Sequence, residues 1–336
     1  MLQVAAFTQG IAVPSARFRV RQYIRPLLGN GIKVHEYVPR FSSYPSAAGW
    51  QRPGWLLAAL LERLKWIPAS YRYDLVLFQR EMISTLVTLE PLFRRPRVLD
   101  VDDALWLHHR GPHALRLARM CDVIICGNQF LADYFSGSKR TVVVLPTAVD
   151  TVRFAPAPAR IPSQVIGWSG TSSNLRSLES LDIALAEVLR RFPQARLRVI
   201  CNQPPRFERV PHERVEYIRW TAEGEVGGLR DMSVGLMPLP DSDWSRGKCA
   251  FKMLTYMACG VPVVVSPIGM NVEVLAKAEI GYGVRTIDEW VDAISKLLSN
   301  IELARRLGAN GRTVVESGYS REVLAKEFAK ILRNAI

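Results

Sequence analysis

Basic side chains lie beside a predicted helix, strand and glycine loop, where they could bind an anion. Arg246, Lys248 and Lys252 come just before or inside a helical pattern that ends at Gly260. A continuous valine run follows, which is typical of a parallel strand covered on both faces. The loop 266–269 then begins at the carboxyl end of that strand, where open parallel sheets bind ligands. The arrangement favours an anionic ligand such as a phosphate.

The loop 266–269 and one further loop in the same half of the chain could approach the ligand. The segment GWSGTSSNL predicts a strand, a polar glycine loop and a helix, and such loops cradle phosphate through N–H groups and hydroxyls. After the valine strand, a glycine leaves room for close approach, and an asparagine and a glutamate open the next helix. Helix capping would explain those last two residues as well. The predicted ligand contacts of the two loops are Gly170, Thr171, Ser172, Asn174, Gly269, Met270, Asn271 and Glu273.

The N-terminal half has its own candidate phosphate site. The first predicted strand leads into a loop with Gly10, and then into a helix that begins with Arg17 and Arg19. A loop followed by a helix N-terminus offers N–H groups and positive potential. Arg17 and Arg21 share one helical face and Arg19 lies on another, so the three cannot all contact one ligand. The alternative is a solvated basic helix.

Acidic and basic residues also follow two neighbouring predicted strands. Arg80 comes after LVLFQ, and Asp102, Asp103 and His108 come after RVLDV. Asp102 and Asp103 are candidate catalytic residues that could act on a substrate hydroxyl, and Arg80 and His108 are candidates for binding the same substrate. Capping of the following helix is the alternative for the two aspartates. A metal site at Asp-Val-Asp is the less favoured reading.

Short β-rich runs alternate with helical patterns through both halves of the chain, which predicts an α/β fold with doubly wound parallel sheets. The segment RFAPAPARIPSQ, 153–164, reads as a linker between the halves. The predicted strands are VAAF, KVHEYV, LVLFQ, RVLDV, DVIICG and TVVVLP before the linker, and VIGWSG, RLRVIC, VEYIRW, SVGLMPL and VPVVVS after it.

The segment FKMLTYMACGVPVVVSPIG resembles the donor-binding segment of glycosyltransferase family 4, the large retaining family with the GT-B fold. The resemblance covers 141–336 well and is weaker before that. It implies two Rossmann-like domains with a cleft between them. Residues 1–155 would form the acceptor-side domain, joined by a C-terminal helix, 320–336, that crosses back, and 160–318 would form the nucleotide-sugar domain.

The resemblance gives Lys252 the place of the family lysine at the donor. The family usually has a pair of glutamates eight positions apart, and here Gly247 and Thr255 stand at those positions. Thr255 keeps a hydroxyl and is retained in the predicted donor site without the charge, and Gly10 is assigned to the donor site as well. Asp102 and Asp103 are predicted to act on the acceptor hydroxyl. The residues predicted on the acceptor or phosphate side are Arg17, Arg19, Arg80 and His108. The arginine and lysine that the family carries near its first phosphate loop are also missing. Arg246, Lys248 or Lys252 is therefore expected to supply the positive charge.

The predicted function is retaining transfer of a sugar from a nucleotide-diphosphate sugar to an acceptor hydroxyl, in synthesis of bacterial cell-surface polysaccharide, glycolipid or glycoconjugate. No cofactor and no metal are expected. A sugar-nucleotide epimerase with the GT-B fold is one alternative. A non-catalytic binding protein that kept the fold is the other, and the missing glutamate pair favours it.

Charge and composition restrict the partners. The chain has 44 Lys+Arg and 31 Asp+Glu, of which 19 and 11 lie in residues 1–150, so the excess of +13 divides into +8 there and +5 in the remainder. This favours an anionic acceptor or membrane surface. We see no zinc-finger spacing, RNP motif or leucine zipper, so nucleic acid is not an expected partner. The expected acceptor is a glycan, a glycolipid or another small molecule.

The N-terminal sequence does not resemble a signal peptide, and no apolar run reaches the ~20 residues of a membrane span. The five cysteines form no CxxC pair and are expected to be free, buried thiols. The expected location is the cytoplasm, including the inner face of the membrane. Residues 50–66, WQRPGWLLAALLERLKW, with three tryptophans, suit contact with a membrane surface or a core helix with an exposed rim.

Overall fold

The computed structural model describes residues 1–11, 13–45, 48–107, 113–157 and 164–336. The chain divides into two compact units, each built on a parallel sheet. The first unit contains Met1–Ala148, Gly247–Cys249 and Arg321–Ile336, and the second contains Val149–Arg246 and Ala250–Ser320. The first unit thus stops seven residues before the predicted end at 155. Arg153 and Phe154, at the start of the predicted linker, lie in the second unit, and 158–163 are outside the described residues.

The sheet of the first unit has the strand order β2-β1-β3-β4-β5-β6 among the described residues. All its strands are parallel, and the order reverses between β1 and β3. At such a switch point the loops diverge and leave a crevice at the carboxyl ends. The strands are β1 (Leu2–Phe7), β2 (Ile32–Tyr37), β3 (Leu75–Gln79), β4 (Arg97–Val101), β5 (Val123–Cys126) and β6 (Thr141–Val144).

Helices flank this sheet because its central strands are apolar on both faces. The predicted helix after β1 is irregular, with a π-helical turn Ala16–Val20 and a 3₁₀ turn Arg21–Tyr23 before the first α-helix. Asn128 caps one of the helices by accepting a hydrogen bond from the Leu131 N–H. The helices are α1 (Ile24–Gly29), α2 (Arg52–Leu64), α3 (Trp66–Ser70), α4 (His113–Met120) and α5 (Gln129–Ser136).

The sheet of the second unit has the order β12-β11-β10-β7-β8-β9 in the described part of the chain, again all parallel. Its switch point lies between β7 and β10. This is the order typical of dinucleotide-binding α/β folds. The strands are β7 (Val165–Ser169), β8 (Arg196–Cys201), β9 (Val215–Arg219), β10 (Val234–Met237), β11 (Val263–Val265) and β12 (Gly281–Gly283).

The helices of the second unit cover both faces of its sheet. Thr286 and Glu289 form a reciprocal capping box at the start of one helix, and Asn300 caps the next. The helices are α6 (Leu175–Glu179), α7 (Asp182–Arg191), α8 (Glu225–Arg230), α9 (Asp243–Arg246), α10 (Phe251–Ala258), α11 (Met270–Leu275), α12 (Ile287–Ser299) and α13 (Ile301–Gly318).

The last helix, α14 (Arg321–Asn334), belongs to the first unit although most of the preceding chain belongs to the second. Leu324, Phe328 and Leu332 are buried in the core of the first unit, with the Phe328 ring 5.2 Å from the Tyr23 ring. The buried apolar face therefore fixes the end of the chain on the N-terminal unit.

All five cysteines are buried and free, as predicted. Among the described residues, no helix combines the length and the apolar character needed to cross a bilayer.

Candidate functional sites in the two units

The carboxyl end of β7, at the switch point of the second sheet, holds the Lys252 ammonium. Lys252 is in the first turn of α10, and its Nζ lies 4.4 Å from the centroid of the Trp168 ring. The Trp168 side chain is fully buried. A Cβ at Gly170 would lie 2.7 Å from Lys252 Nζ and 2.6 Å from Trp168. Glycine is therefore required at 170 to admit the cation to this position.

Buried hydrogen bonds hold α10 against this strand. The Ser169 N–H donates to the Tyr256 hydroxyl at 2.8 Å, and both side chains are buried. Because Tyr256 follows Lys252 by one helical turn, this bond sets the position of the lysine along the strand end. Burial raises the pKa of Tyr256, so the hydroxyl stays neutral. Trp168 and Tyr256 are site-shaping residues that our reading of the sequence missed, because apolar strand and helix patterns do not reveal which aromatic ring meets a cation.

The predicted phosphate loop after β7 is largely closed by its own hydrogen bonds. The Gly170 N–H donates to Ile200 O, and the Ser172 N–H donates to Asn202 Oδ1 at 2.8 Å. The Asn174 side chain donates to Thr171 Oγ1 at 2.9 Å. The amides of Gly170 and Ser172 thus hold the loop in shape, and phosphate binding by this loop stays a prediction. The side chains of Thr171, Ser172 and Asn174 are at least partly exposed beside Lys252.

The loop after β11 contacts the α9 segment through glycine. Gly269 has φ +54°, and a Cβ there would lie 2.8 Å from Arg246 O, so only glycine fits. Met270 and Asn271 are buried, and Asn271 Nδ2 donates to Ser266 O at 2.9 Å. These two residues brace the loop instead of facing solvent, whereas Glu273 is exposed.

Arg246 also departs from the expected role. Its guanidinium donates to Asp243 at 3.0 Å and to Asp241 at 2.7 Å, and it is 46% exposed. Two carboxylates already balance its charge. Of the basic residues predicted at the donor, Lys252 alone lies at the switch point of the second sheet within the described part of the chain.

Thr255 lies inside the core of the second unit. It is 4% exposed, and its hydroxyl donates to the Lys252 carbonyl at 2.7 Å. The hydroxyl is thereby committed to its own helix, a bond that serine and threonine commonly make. This corrects the expectation that Thr255 offers a hydroxyl to a ribose.

A cluster of charges lies at the carboxyl edge of the first sheet. Arg80 Nε donates to Asp102 at 2.7 Å, and its Nη2 donates to Asp103 at 2.5 Å. Lys248 Nζ donates to the other oxygen of Asp103 at 2.7 Å. The structure thus brings together Arg80, Asp102, Asp103 and Lys248. The sequence predicts the first three at the acceptor and Lys248 at the donor. Lys248 therefore belongs to this cluster in the first unit, and its contact with the donor stays a prediction.

Local backbone contacts position the members of this charge cluster. Arg80 has φ +63°, a conformation that turns its side chain out of the strand direction. The Lys248 carbonyl accepts a hydrogen bond from Asn128 Nδ2 at 3.1 Å, and Cys249 Sγ donates to Asp102 O at 3.3 Å. Burial raises the pKa of the Cys249 thiol to about 12, so it stays protonated and acts as a packing group.

The electrostatics keep Asp102 ionised. Burial works against the carboxylate, but the Arg80 guanidinium, the Ser15 hydroxyl and Arg19 outweigh it and hold the pKa of Asp102 below its ordinary value. A carboxylate with a lowered pKa is a weak base, so Asp102 is suited to orienting a hydroxyl and not to removing its proton.

Arg19 is a buried structural residue. It is 1% exposed and forms a forked ion pair with Asp100, with Nε 3.0 Å from Oδ2, and it donates to Leu145 O at 2.7 Å. The Arg19 charge is therefore paired with Asp100 inside the core. Because the side chain is buried there, it does not reach a phosphate at the surface, and the predicted phosphate contact is wrong.

Arg17 and Gly10 are the other predicted residues of the first unit that the structure describes. The Arg17 guanidinium lies 4.8 Å from the centroid of the Phe18 ring. Gly10 follows β1 with φ +152°. His108 lies outside the described residues. Nowhere in the described ranges do three His, Cys, Asp or Glu side chains gather as a metal site would require.

Part of the chain is similar in sequence to known glycosyltransferases. Residues 163–300 match the family model described as "Glycosyl transferases group 1". A curated relative, D-inositol 3-phosphate glycosyltransferase of Kineococcus radiotolerans, is 26% identical over 241 residues. That match spans 61% of this chain and 54% of the relative, so about half of the relative's length is covered.

Solved structures with the same fold include two proteins of low sequence identity. Sucrose-phosphate synthase of Thermosynechococcus elongatus has a TM-score of 0.73 at 16% identity, over 99% of each chain. Anabaena HepE, crystallised with UDP and glucose, has a TM-score of 0.72 at 15% identity, over 99% of this chain and 100% of the other. Two parallel Rossmann-like sheets and these likenesses define the GT-B fold. The family match to 163–300 shows that this part of the chain, nearly all of which lies in the second unit, is similar to glycosyl transferases of group 1.

Proposed function

We propose that the protein transfers a sugar, with retention of anomeric configuration, from a nucleotide-diphosphate sugar to an acceptor hydroxyl. The observation that carries the proposal is the Lys252 ammonium at the switch point of the second sheet, beside Gly170 and over Trp168. A lysine at this place is suited to the diphosphate of a donor. The UDP bound to the HepE structure and the sugar transfer named for the curated relative support the choice of ligand.

In the proposed reaction, the diphosphate leaves from the sugar face that the acceptor hydroxyl approaches. Negative charge grows on the leaving oxygen as the glycosidic bond to phosphate breaks. An ammonium placed there in advance stabilises that charge without reorganisation during the step. Lys252 is our candidate for this electrostatic role.

We assign acceptor recognition to the charge cluster of Arg80, Asp102, Asp103 and Lys248. Both carboxylates are partly exposed, with 14% and 18% of their side-chain surface accessible. Paired carboxylates accept hydrogen bonds from sugar hydroxyls, and Arg80 holds the pKa of Asp102 below its ordinary value. The cluster contains equal numbers of positive and negative side chains, so a neutral polyhydroxylated acceptor suits it better than a polyanion.

A non-catalytic nucleotide-binding protein is the second candidate, and the burial of Thr255 favours it. Thr255 is 4% exposed, so the glutamate usual in the family would be a buried charge at this position. The two functions differ in turnover, because only a transferase releases nucleoside diphosphate in the presence of an acceptor.

A thermal-shift screen with UDP, GDP, dTDP and CMP tests the donor site first. A nucleotide present at ~100 times its dissociation constant adds ~2.7 kcal/mol to the free energy of unfolding. We expect one nucleoside diphosphate to raise the melting temperature well above the others. Release of that diphosphate from its sugar conjugate is then measured across an acceptor panel. Binding without release would support the binding protein, and no stabilisation by any nucleotide would contradict both functions.

A further inference from the structure

Helix α2 turns its apolar side chains outward. Leu57, Leu61 and Leu64 are 60%, 59% and 48% exposed. Their spacing of four and three residues places them in one stripe along the helix. Trp50, in the 3₁₀ turn just before the helix, is 83% exposed. An ordinary surface helix would bury such a stripe and expose its charges.

The opposite face of α2 buries charged residues instead. Glu62 is 8% exposed and accepts hydrogen bonds from the Arg40 and Phe41 N–H groups at 2.8 and 3.1 Å. Arg63 is 1% exposed and donates to the Ser43 hydroxyl at 3.0 Å. Rotating the helix to bury its leucines would break these bonds, and unpaired buried charges are costly. The inward hydrogen bonds therefore fix the outward direction of the leucines.

The other tryptophans of 50–66 have structural roles. Trp55 Nε1 donates to Ser42 O at 3.0 Å, and Trp66 packs against the Phe7 ring with centroids 5.7 Å apart. Trp50 is the tryptophan of this segment that presents most of its ring to solvent.

The exposed charged residues in the described part of segment 38–73 are all basic. From 38 to 73 the sequence has one acidic residue, Glu62, and it is buried. The exposed charged residues in the described part of this segment are Arg40, Arg52, Lys65 and Arg72. A second copy of the chain docking face to face would bring these cations against each other, so the charge disfavours self-association.

We propose that the exposed stripe formed by Trp50, Leu57, Leu61 and Leu64, in a segment whose exposed charged residues are all basic, docks on an anionic lipid bilayer. The apolar side chains would enter the boundary between headgroups and acyl chains, and the basic residues would contact lipid phosphates. With 13 residues, α2 is too short to span a bilayer and lies in its surface. The inference is independent of the proposed sugar transfer.

Vesicle sedimentation tests the apolar part of the surface. The full chain is mixed with phosphatidylcholine vesicles that contain or lack phosphatidylglycerol. We expect binding to the anionic vesicles and a loss of about tenfold or more in partitioning for Leu57→Ser with Leu61→Ser. The matched control is Val152→Ser with Ile183→Ser, which removes two apolar residues of 77% and 50% exposure from the second unit and should bind normally. Equal binding of the two double variants would overturn the proposal.

The basic residues are tested separately. Lys65→Gln with Arg72→Gln should weaken partitioning about fivefold for each charge removed, and added salt should weaken wild-type binding. Lys326→Gln with Lys330→Gln, which changes exposed lysines of α14, is the charge-matched control. If both pairs reduce binding equally, general positive charge and not this surface is responsible, and the proposal fails.

Tryptophan quenching provides a test that needs no apolar-to-polar change. Lipids brominated on the acyl chain should quench wild-type fluorescence, and Trp50→Phe should remove most of that quenching. Equal quenching in the two proteins would contradict insertion at Trp50.

Light scattering of the wild type and of the Leu57→Ser, Leu61→Ser variant tests whether a second copy of the chain covers this surface. A wild-type dimer that this variant converts to a monomer would identify a second copy as the occupant and overturn the lipid proposal.

Discussion

The Lys252 ammonium lies 4.4 Å from the centroid of the fully buried Trp168 ring. The face of an indole attracts a cation without neutralising its charge, unlike a carboxylate. Arg246 shows the contrast, because Asp241 and Asp243 both bind its guanidinium. The aromatic contact thus positions the Lys252 ammonium at the switch point of the second sheet.

Replacing Lys252 should weaken nucleotide binding more than folding. A charge-assisted hydrogen bond to phosphate is worth ~1.5–3 kcal/mol, so Lys252→Ala should lower the affinity for nucleoside diphosphate roughly tenfold or more. The control is Lys296→Ala, which removes a second lysine whose Nζ lies 5.3 Å from an aromatic ring, that of Tyr282. Calorimetric titration and melting curves of both variants separate the effects. If both variants bind alike, Lys252 has no part in the donor site.

Gly170→Ala should act through Lys252. The added methyl would lie 2.7 Å from Nζ and 2.6 Å from the Trp168 ring, so the ammonium must move. We expect nucleotide affinity to fall as in Lys252→Ala, and the double variant to bind little worse than either single one. Additive losses in this double-mutant cycle would show that the glycine and the lysine act independently.

Thr255 should tolerate valine and reject glutamate. Valine keeps the shape and loses one neutral hydrogen bond, so the free energy of unfolding should change by at most ~1 kcal/mol, with nucleotide affinity unchanged. A glutamate at this buried position should cost several kcal/mol, although it restores the residue usual in the family. Melting temperatures and nucleotide titrations of both variants check this. A glutamate variant that folds normally and binds donor more tightly would contradict the observed placement.

Arg80→Met should make stability depend differently on pH. Arg80 holds the pKa of Asp102 below its ordinary value, so their pairing stabilises the fold above the unfolded pKa of the carboxyl and is lost as pH falls through the folded value. Near neutral pH the variant should have a lower melting temperature than wild type. The difference between the two melting temperatures should become smaller below about pH 4.

Melting curves from neutral to acidic pH measure that gap. The control is Arg190→Met, which removes an exposed partner of Glu187, and solvent screening should leave its stability close to wild type. A gap for Arg80→Met that stays constant with pH would show that lost packing, and not charge, is the cause.

Arg19→Met should destabilise the first unit strongly. It leaves Asp100 fully buried without its forked partner, and breaking a buried ion pair from one side typically costs ~3–5 kcal/mol. Chemical denaturation measures the change. Arg17→Met, at a neighbouring partly exposed position, should cost far less. If the two variants unfold alike, the buried pair does not organise this unit.

The sequence by itself determined the alternation of strands and helices. Each predicted strand is present, because continuous valine, isoleucine and leucine runs can be satisfied only between two layers of helices. The missed strand is β12, Gly281–Gly283, whose glycines carry no apolar signal. The sequence also predicted a close approach at Gly269, because its place in the loop between a strand and a helix favours a residue without Cβ.

Tertiary structure alone decided which charged side chains reach a site. The spacing of polar residues shows which face of a helix or strand is polar. It does not show whether a carboxylate, a carbonyl or solvent contacts that face. Arg19 forms an ion pair with Asp100, 81 residues away, and Lys248 forms one with Asp103, 145 residues away. The inverted face of α2 depends likewise on amides at Arg40 and Phe41 that bind Glu62. Partners so distant in sequence meet only when the sheets have formed, which is why charge pairing had to be read from the fold.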